Sequence, residues 1–332
     1  MSKADAAAAI LWVGATFYAL FGGADFGGGF WDLFAGDAEK GREPRALIQR
    51  SLTPVWEANH VWLIFILVVL WSAFPQTVSA IFTTLYVPIA LAALGIVLRG
   101  AGFAFRKSVV TLNEERAAGA IFALSSVLTP FFMGTVIGAI ASGNVPAEGN
   151  GDAFSSWIEP LPLLIGALFV ATGAYLAAVF LVGDARRAGE AELERYFVRR
   201  ALVAGAVAGV FATVGLFELH AEARYVFDRL IDQGLPLVVL SLLCGIGLLI
   251  TLLRGGRRPL RPLAAGAVIA VIWGWGVAQF PYLLPTSLRI DQAAAPDPTL
   301  TVIFIVFGLA AVFVLPSLFL LYALSQRDVL EH

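Results

Sequence analysis

The residues best suited to chemistry lie close together in the segment PVWEANHVWLI, residues 54–64. Glu57 and His60 are three positions apart, so a helix would place them on one face, about 4.5 Å apart along its axis. A carboxylate beside an imidazole, with the Asn59 amide next to them, is suited to passing protons through short hydrogen bonds. The alternative is that these three side chains only form hydrogen bonds with neighbouring helices.

The residues around Glu57 leave other roles open. His60 is interpreted as a proton relay or a hydrogen-bonding residue, with metal or haem ligation as the less favoured alternative. Trp56 is adjacent to the carboxylate, although tryptophan is also common where a span packs at the membrane interface. The candidate proton path in this segment therefore consists of four residues: Trp56, Glu57, Asn59 and His60.

Two further charged residues adjoin apolar segments, and we include both in the candidate polar network. Asp25 lies among glycines in GGADFGGGF, a pattern that indicates a tight turn or a close approach of helices. It is predicted either to cap the segment after it or to join a network with Glu57. Arg99, in VLRGAGFAFRK, is either an anchor that extends to the membrane surface or a counter-ion for a buried carboxylate.

Ligands for a metal or a haem are scarce, since the chain has 3 histidines, 2 methionines and 1 cysteine. A haem with two axial ligands needs two His or Met side chains, and only His60 and Met133 fall within predicted spans. Glu218, His220 and Glu222 have a spacing that suits a metal, but exposed helix ends often carry such groups. We therefore expect no metal site and no cofactor site in this chain.

The composition is that of an integral membrane protein. Of the 332 residues, 59% are hydrophobic and 14% are charged, against about 45–50% and about 25% in soluble domains. A soluble fold could not bury so much apolar surface. The formal net charge of −2 offers no basic patch, which excludes nucleic-acid binding.

The hydropathy pattern predicts one polytopic membrane domain over residues 1–332, all-α, with nine transmembrane helices packed in bundles. A span needs about 20 mostly apolar residues. The predicted spans are residues 6–24, 54–74, 78–98, 117–141, 161–181, 201–217, 235–253, 263–284 and 300–324. The segment 188–200 has helical periodicity and is predicted to lie at the cytoplasmic surface, before the span that begins at residue 201.

The distribution of basic residues predicts the orientation. The loops on one side of the nine spans, together with the C-terminal tail, carry all but four of the 22 Lys and Arg residues. The four exceptions on the other side are Lys3, Arg224, Arg229 and Arg289. Because cytoplasmic loops are enriched in Lys and Arg, the amino terminus is predicted to be outside and the carboxyl terminus cytoplasmic.

Five segments, in this order along the chain, carry a resemblance to a known family. They are GADFGGGF (23–30), PVWEANHVWLI (54–64), FPQTVSAIFTTLYVPIALAALGIVLRGAGFAFR (74–106), FPYLLPTS (280–287) and AAAPDPTL (293–300). They resemble subunit II of the cytochrome bd family of bacterial quinol oxidases, over nearly the whole chain. The form WEANHVW is similar to the cyanide-insensitive branch of that family.

The resemblance implies a place in the bacterial inner membrane beside a haem-bearing subunit I. That partner would hold two haems b and one haem d, or a further haem b in its place. It would oxidise quinol and reduce dioxygen to water with protons from the cytoplasm. Subunit II of the family carries no haem, although some members hold a structural quinone. The resemblance also allows for a small single-span subunit and for contacts with membrane lipids.

The resemblance also assigns roles to individual residues. The acidic residue of the W-[DE]-x-N motif lines a proton path toward the oxygen site, and here it is Glu57. The family aspartate after the first span corresponds to Asp25, and the arginine after the third span to Arg99. The chain departs from the family at Gly22, where the family has an acidic residue, and at Glu57, where many members have aspartate.

Two hypotheses from other functional classes are alternatives to an oxidase subunit that delivers protons. A secondary transporter would place polar or unwound helices at the membrane midplane, often in inverted repeats. The odd number of spans and the polar cluster near the cytoplasmic end of the second span argue against it. A lipid-facing scaffold differs from the oxidase hypothesis only in whether Glu57 affects turnover.

Overall fold

The computed structural model describes the backbone of residues 2–36, 39–52, 56–106, 112–256 and 259–325. The side chains of residues 52, 56–58, 103, 106, 112–117, 315, 318, 322 and 325 lie outside the description. The described part of the chain is almost entirely helical, which follows from its long apolar runs, because a helix satisfies its own backbone hydrogen bonds in lipid.

The elements are given in chain order. They are α1 (Lys3–Phe17), a π-helical turn (Tyr18–Gly22), α2 (Gly23–Leu33), α3 (Arg42–Leu52), α4 (Trp56–Ala73), α5 (Pro75–Thr84), α6 (Tyr86–Arg106), α7 (Leu112–Ala141), α8 (Pro160–Ala188), α9 (Ala191–Glu222), α10 (Arg224–Asp232), α11 (Leu235–Leu253), α12 (Leu260–Gln279), the antiparallel strands β1 (Tyr282–Leu284) and β2 (Leu288–Arg289), α13 (Ile290–Ala293) and α14 (Asp297–Ser325).

The predicted all-α, multi-pass architecture is confirmed at this level. Within the described residues, seven helices are long and apolar enough to cross a membrane. They are the continuous helix Lys3–Leu33 and, in whole or in their apolar part, α7, α8, α9, α11, α12 and α14. The pair α4 and α5 makes an eighth if it counts as one span, and the apolar part of α6, Tyr86–Gly102, is shorter.

Two breaks interrupt the chain near the span that the sequence predicted over residues 78–98, one just before it and one within it. Helix α4 ends at Ala73, and α5 begins at Pro75 with its axis bent by 115° from α4. Proline suits the first turn of a helix, where its missing N–H is not needed. A second break at Leu85 separates α5 from α6, so residues 78–98 are not one span.

Two other predicted boundaries are wrong. The expected surface helix over residues 188–200 forms the first turns of α9, because the chain turns at Gly189 and then continues as one helix. Gly189 has a φ of 73°, which glycine adopts without a steric penalty. The span predicted over 263–284 ends at Gln279, and the residues after it form the β hairpin.

Helix α8 is the central element of the described bundle, and it packs against α2, α7, α9 and α12. One apolar core lies around α8 and includes Leu176, Val179, Phe197 and Leu248, all buried. A second core joins α1, α4, α5 and α7 to the β hairpin, α13 and the first turn of α14. Large apolar side chains also cover the outside of the bundle, as expected for a surface in contact with lipid.

Glycines allow α2 to pack directly against α8. A methyl group at Gly27 would overlap the carbonyl group of Gly173 and approach the Ala177 Cβ to 2.8 Å. A methyl group at Gly173 would in turn lie 2.8 Å from the carbonyl oxygen of Gly23. Small residues at such crossings let two backbones approach closely in a membrane. The sequence left open a turn or a close approach for this glycine run, and α2 makes the close approach.

This crossing predicts that Gly27→Ala destabilises the protein, since the atoms opposite Gly27 are backbone and cannot rotate away. We expect a loss of about 1–3 kcal/mol in the free energy of unfolding. Gly209→Ala in α9 is the control, because a Cβ there meets no atom within 4 Å. It should be neutral or stabilising by up to about 1 kcal/mol. Thermal unfolding in mild detergent measures both, and equal midpoints would contradict the close crossing.

Candidate functional site

The centre of the candidate site is a buried ion pair between Asp25 of α2 and Arg99 of α6. Arg99 Nη2 lies 2.9 Å from Asp25 Oδ1, and the two side chains are 2% and 1% exposed. The same nitrogen donates a hydrogen bond of 3.0 Å to the main-chain carbonyl oxygen of Asp25. Burial of two unlike charges is tolerated only when they are paired, because each alone would lose its hydration without compensation.

The position of Arg99 decides between the two roles that the sequence left open for it. A side chain that anchors a span at the membrane surface keeps its charged end in water. Arg99 instead points into the bundle and contacts a carboxylate, as a counter-ion does. Asp25 lies inside the continuous helix Lys3–Leu33, so it caps no helix, and a tight turn at the glycines is wrong.

Aromatic rings and a hydroxyl group complete the surroundings of the Arg99 guanidinium. Its central carbon lies 4.9 Å from the ring centre of Phe26 and 4.5 Å from that of Phe122. Its Nη1 donates a hydrogen bond to Ser126 Oγ, and Ser126 donates one of 2.5 Å to the Phe122 carbonyl oxygen. The rings hold the cation by cation–π attraction and keep it away from lipid.

A glycine makes room for this arrangement. A methyl group at Gly29 would overlap Ser126 Oγ and lie 2.8 Å from Arg99 Nη1. The glycine run therefore has two functions, since Gly27 sets the crossing with α8 and Gly29 leaves space for the ion pair. This explains why Asp25 is surrounded by residues without side chains.

Tyr18 contributes a second hydroxyl group near the pair. It lies in the π-helical turn, with its hydroxyl oxygen 3.8 Å from Met133 Sδ, and it interacts electrostatically with Asp25 and Arg99. The Tyr18 ring also packs over Gly22, where a methyl group would be 2.8 Å from the ring. Gly22 is the position at which the resemblance implies an acidic residue, and here the Tyr18 ring occupies the adjacent space.

Helix α4 brings part of the WEANHVW motif to this centre. The His60 ring centre lies 6.1 Å from that of Phe26, and His60 interacts electrostatically with Asp25. Asn59 is buried. The backbone of Trp56 and Glu57 belongs to the first turn of α4, which agrees with the helical spacing expected for Glu57 and His60. The side chains of Trp56 and Glu57 lie outside the described residues, so a contact of Glu57 with Asp25 stays a prediction.

The acidic and histidine cluster at the far end of α9 has other partners. His220 Nε2 lies 2.8 Å from Arg224 Nη1, and Glu222 accepts a hydrogen bond of 3.3 Å from the backbone N–H of Leu161 at the start of α8. A carboxylate in that position stabilises the helix N-terminus. Among the side chains that the structure describes, no group of three His, Cys, Asp or Glu is placed to hold a metal.

Sequence reasoning missed three polar groups that the fold brings to this region. Ser126 contacts Arg99, Tyr18 interacts electrostatically with the ion pair, and Asp32 of α2 is buried beside Arg45 of α3. The signals for these groups in the sequence were weak, because a hydroxyl in an apolar run is common. Asp32 follows Asp25 by seven residues, which is about two turns of a helix. That spacing has meaning only if α2 continues as far as Leu33, which it does.

Comparison with known proteins agrees with this arrangement. Residues 4–325 match the family model described as cytochrome bd terminal oxidase subunit II. A putative cytochrome bd menaquinol oxidase subunit II of Bacillus subtilis (strain 168) is 22% identical, over 97% of this chain and 95% of its own. A cytochrome bd ubiquinol oxidase subunit 2 of the same organism is 26% identical, over 93% of this chain and 89% of its own.

A solved structure shares the fold. The bd oxidase from Geobacillus thermodenitrificans contains a chain that superposes with a TM-score of 0.83 at 24% identity, covering 98% of each chain. The family match extends over almost the entire sequence, and the apolar helices fit a protein that crosses the membrane several times. The chain therefore belongs to the cytochrome bd terminal oxidase subunit II family, as a multi-pass component of a quinol oxidase complex in the bacterial inner membrane.

Proposed function

We propose that this chain delivers cytoplasmic protons to the oxygen-reduction site of a haem-bearing subunit I while that partner oxidises quinol. The observation that carries the proposal is the buried Asp25–Arg99 pair, with which His60 of α4 interacts electrostatically. Ionisable side chains inside a membrane protein are costly, and they commonly mark proton paths. Reduction of dioxygen to water consumes protons, so the complex needs such a path.

The proposed mechanism uses the charge balance of the pair. Asp25 binds a proton transiently while Arg99 keeps its positive charge, and the carboxylate regains its counter-ion when the proton moves on. Apart from the Arg99 guanidinium, no described side chain is placed to donate a hydrogen bond to the Asp25 carboxylate, whose remaining lone pairs can accept one. Glu57 is proposed to take the proton next and pass it toward the partner, with Asn59 and His60 orienting the hydrogen bonds.

We further propose that the haems belong to the partner and that this chain binds none. The names of the relatives specify a menaquinol or a ubiquinol, which supports a quinol as the electron donor of the complex. We also propose nine spans with the amino terminus outside. The asymmetry of basic residues supports this orientation, although the buried Arg99 no longer counts as a loop charge.

The composition of the complex is tested by purification. A tagged chain, extracted gently from its native membrane, is expected to carry a stoichiometric haem-bearing partner and to show quinol-driven oxygen uptake. The visible spectrum identifies the haems, and the same preparation reveals a bound quinone or a small subunit. A colourless chain that purifies alone, without oxygen uptake, would contradict the proposed assembly.

Glu57→Gln tests the proton path directly, because it removes the charge at almost constant size. We expect oxygen uptake to fall on the order of 10²-fold, a typical contribution of a positioned proton-transfer group, with the haem spectrum unchanged. Glu57→Asp keeps a carboxylate and should retain most of the activity. Full turnover in an intact Glu57→Gln complex would instead support the scaffold alternative.

A further inference from the structure

A second buried aspartate lies on the same face of α2 as Asp25. Asp32 follows Asp25 by seven residues, so it is about 10.5 Å away along the helix axis and within about 20° in rotation. The Asp32 side chain is 3% exposed, and its Oδ1 lies 3.3 Å from Arg45 Nε. Helix α2 thus carries two buried carboxylates in line, each paired with an arginine from another helix.

Asp32 lies at the end of α2 that leads to the surface. The helix ends at Leu33, one residue later, and Arg45 is 25% exposed. Arg45 Nη2 also donates a hydrogen bond of 2.7 Å to the carbonyl oxygen of Gly36 in the connection that follows α2. Asp32 is therefore separated from water by one partly exposed side chain, whereas Asp25 is two turns deeper in the bundle.

The face of α2 between the two aspartates carries no side chains. The residues three and four positions after Asp25 are Gly28 and Gly29, and both are buried. The groups that border Gly29 are polar, namely Ser126 Oγ and Arg99 Nη1. A strip of bare backbone bordered by a hydroxyl and a guanidinium group therefore joins Asp32 to Asp25, where an apolar face would be expected in a membrane helix.

We propose that Asp32 is the proton-uptake group of this chain, which takes protons from the cytoplasmic side and passes them along this strip to Asp25. The inference rests on the proposed function, because it needs Asp25 to lie on the proton path. The separation exceeds one hydrogen bond, so the step needs an intermediate group, and the Ser126 hydroxyl lies against Gly29 between the two carboxylates. The proton leaves the Asp32 carboxyl group and binds the Asp25 carboxylate, while Arg45 and Arg99 stay charged.

The test uses the whole oxidase complex carrying Asp32→Asn. The reduced complex is mixed with dioxygen, and proton uptake from the medium is followed with a pH-indicator dye. We expect uptake and steady-state oxygen consumption to slow about 10-fold or more. Anaerobic reduction of the haems by quinol should be unchanged, because that step takes up no proton through this path. Asp32→Glu should restore uptake, since it keeps the carboxylate.

Two controls separate proton uptake from a structural role. Arg45→Gln breaks the same ion pair but keeps the Asp32 carboxylate, so its proton uptake should be faster than that of Asp32→Asn. Asp184→Asn removes a partly buried carboxylate, 17% exposed, that lies 2.6 Å from Arg261 near the C-terminal end of α8. It is outside the strip and should have no effect on uptake.

The outcomes also distinguish this inference from the proposed function. Normal uptake in Asp32→Asn together with slow uptake in Glu57→Gln would overturn only the role of Asp32. Normal uptake in both variants would overturn the proposed function as well. If neither Asp32→Asn nor Arg45→Gln assembles with its partner subunit, the pair is a structural link between α2 and α3, and the inference is wrong.

Discussion

The buried ion pair between Asp25 and Arg99 is the interaction on which the arrangement of the site depends. Neither charge could be inside the bundle alone, because breaking a buried pair typically costs about 3–5 kcal/mol. The pair joins α2 to α6 across 74 residues of sequence, and α7 packs against both of these helices. Ser126 of α7 and the rings of Phe26 and Phe122 then follow as the groups that satisfy and enclose the guanidinium.

The glycine run is the consequence of this constraint in the sequence. A charged pair can be enclosed only where helices approach closely enough to exclude lipid and still leave room for a guanidinium group. Gly27 provides the first condition against α8, and Gly29 provides the second beside Arg99. The same lack of side chains leaves a polar strip along α2, so the packing requirement and the proposed path for protons have one structural origin.

Much of the fold follows from the sequence alone. The span predicted over residues 235–253 coincides with α11, because an uninterrupted apolar run between glycine and arginine permits little else. The bend before Pro75 falls between the predicted spans 54–74 and 78–98, whereas the break at Leu85 did not follow, since it lies within apolar sequence. A span predictor detects hydropathy, and a re-directed helix has the same hydropathy as a straight one.

The site was predictable as a set of residues but not as an arrangement. Its chemistry-bearing residues stood out because ionisable groups are rare in apolar segments. Their pairing did not. Asp25 was expected to cap a helix or to join Glu57, and Arg99 was expected either to reach the membrane surface or to be the counter-ion of an unspecified carboxylate. Only the packing of α7 against both α2 and α6 brings these two side chains together. Asp32 was not predicted as a site residue, because it shares a face with Asp25 only if the helix continues through the glycines between them.

The proposed proton path requires the Asp25 carboxyl group to exchange protons during turnover. Infrared difference spectroscopy of the oxidase complex, between its oxidised and reduced states, detects such an exchange. We expect a carboxyl C=O band that shifts in D₂O and is absent from Asp25→Asn, with the haem signals retained. An identical set of carboxyl bands in Asp25→Asn would show that Asp25 exchanges no proton and would leave the buried pair a purely structural element.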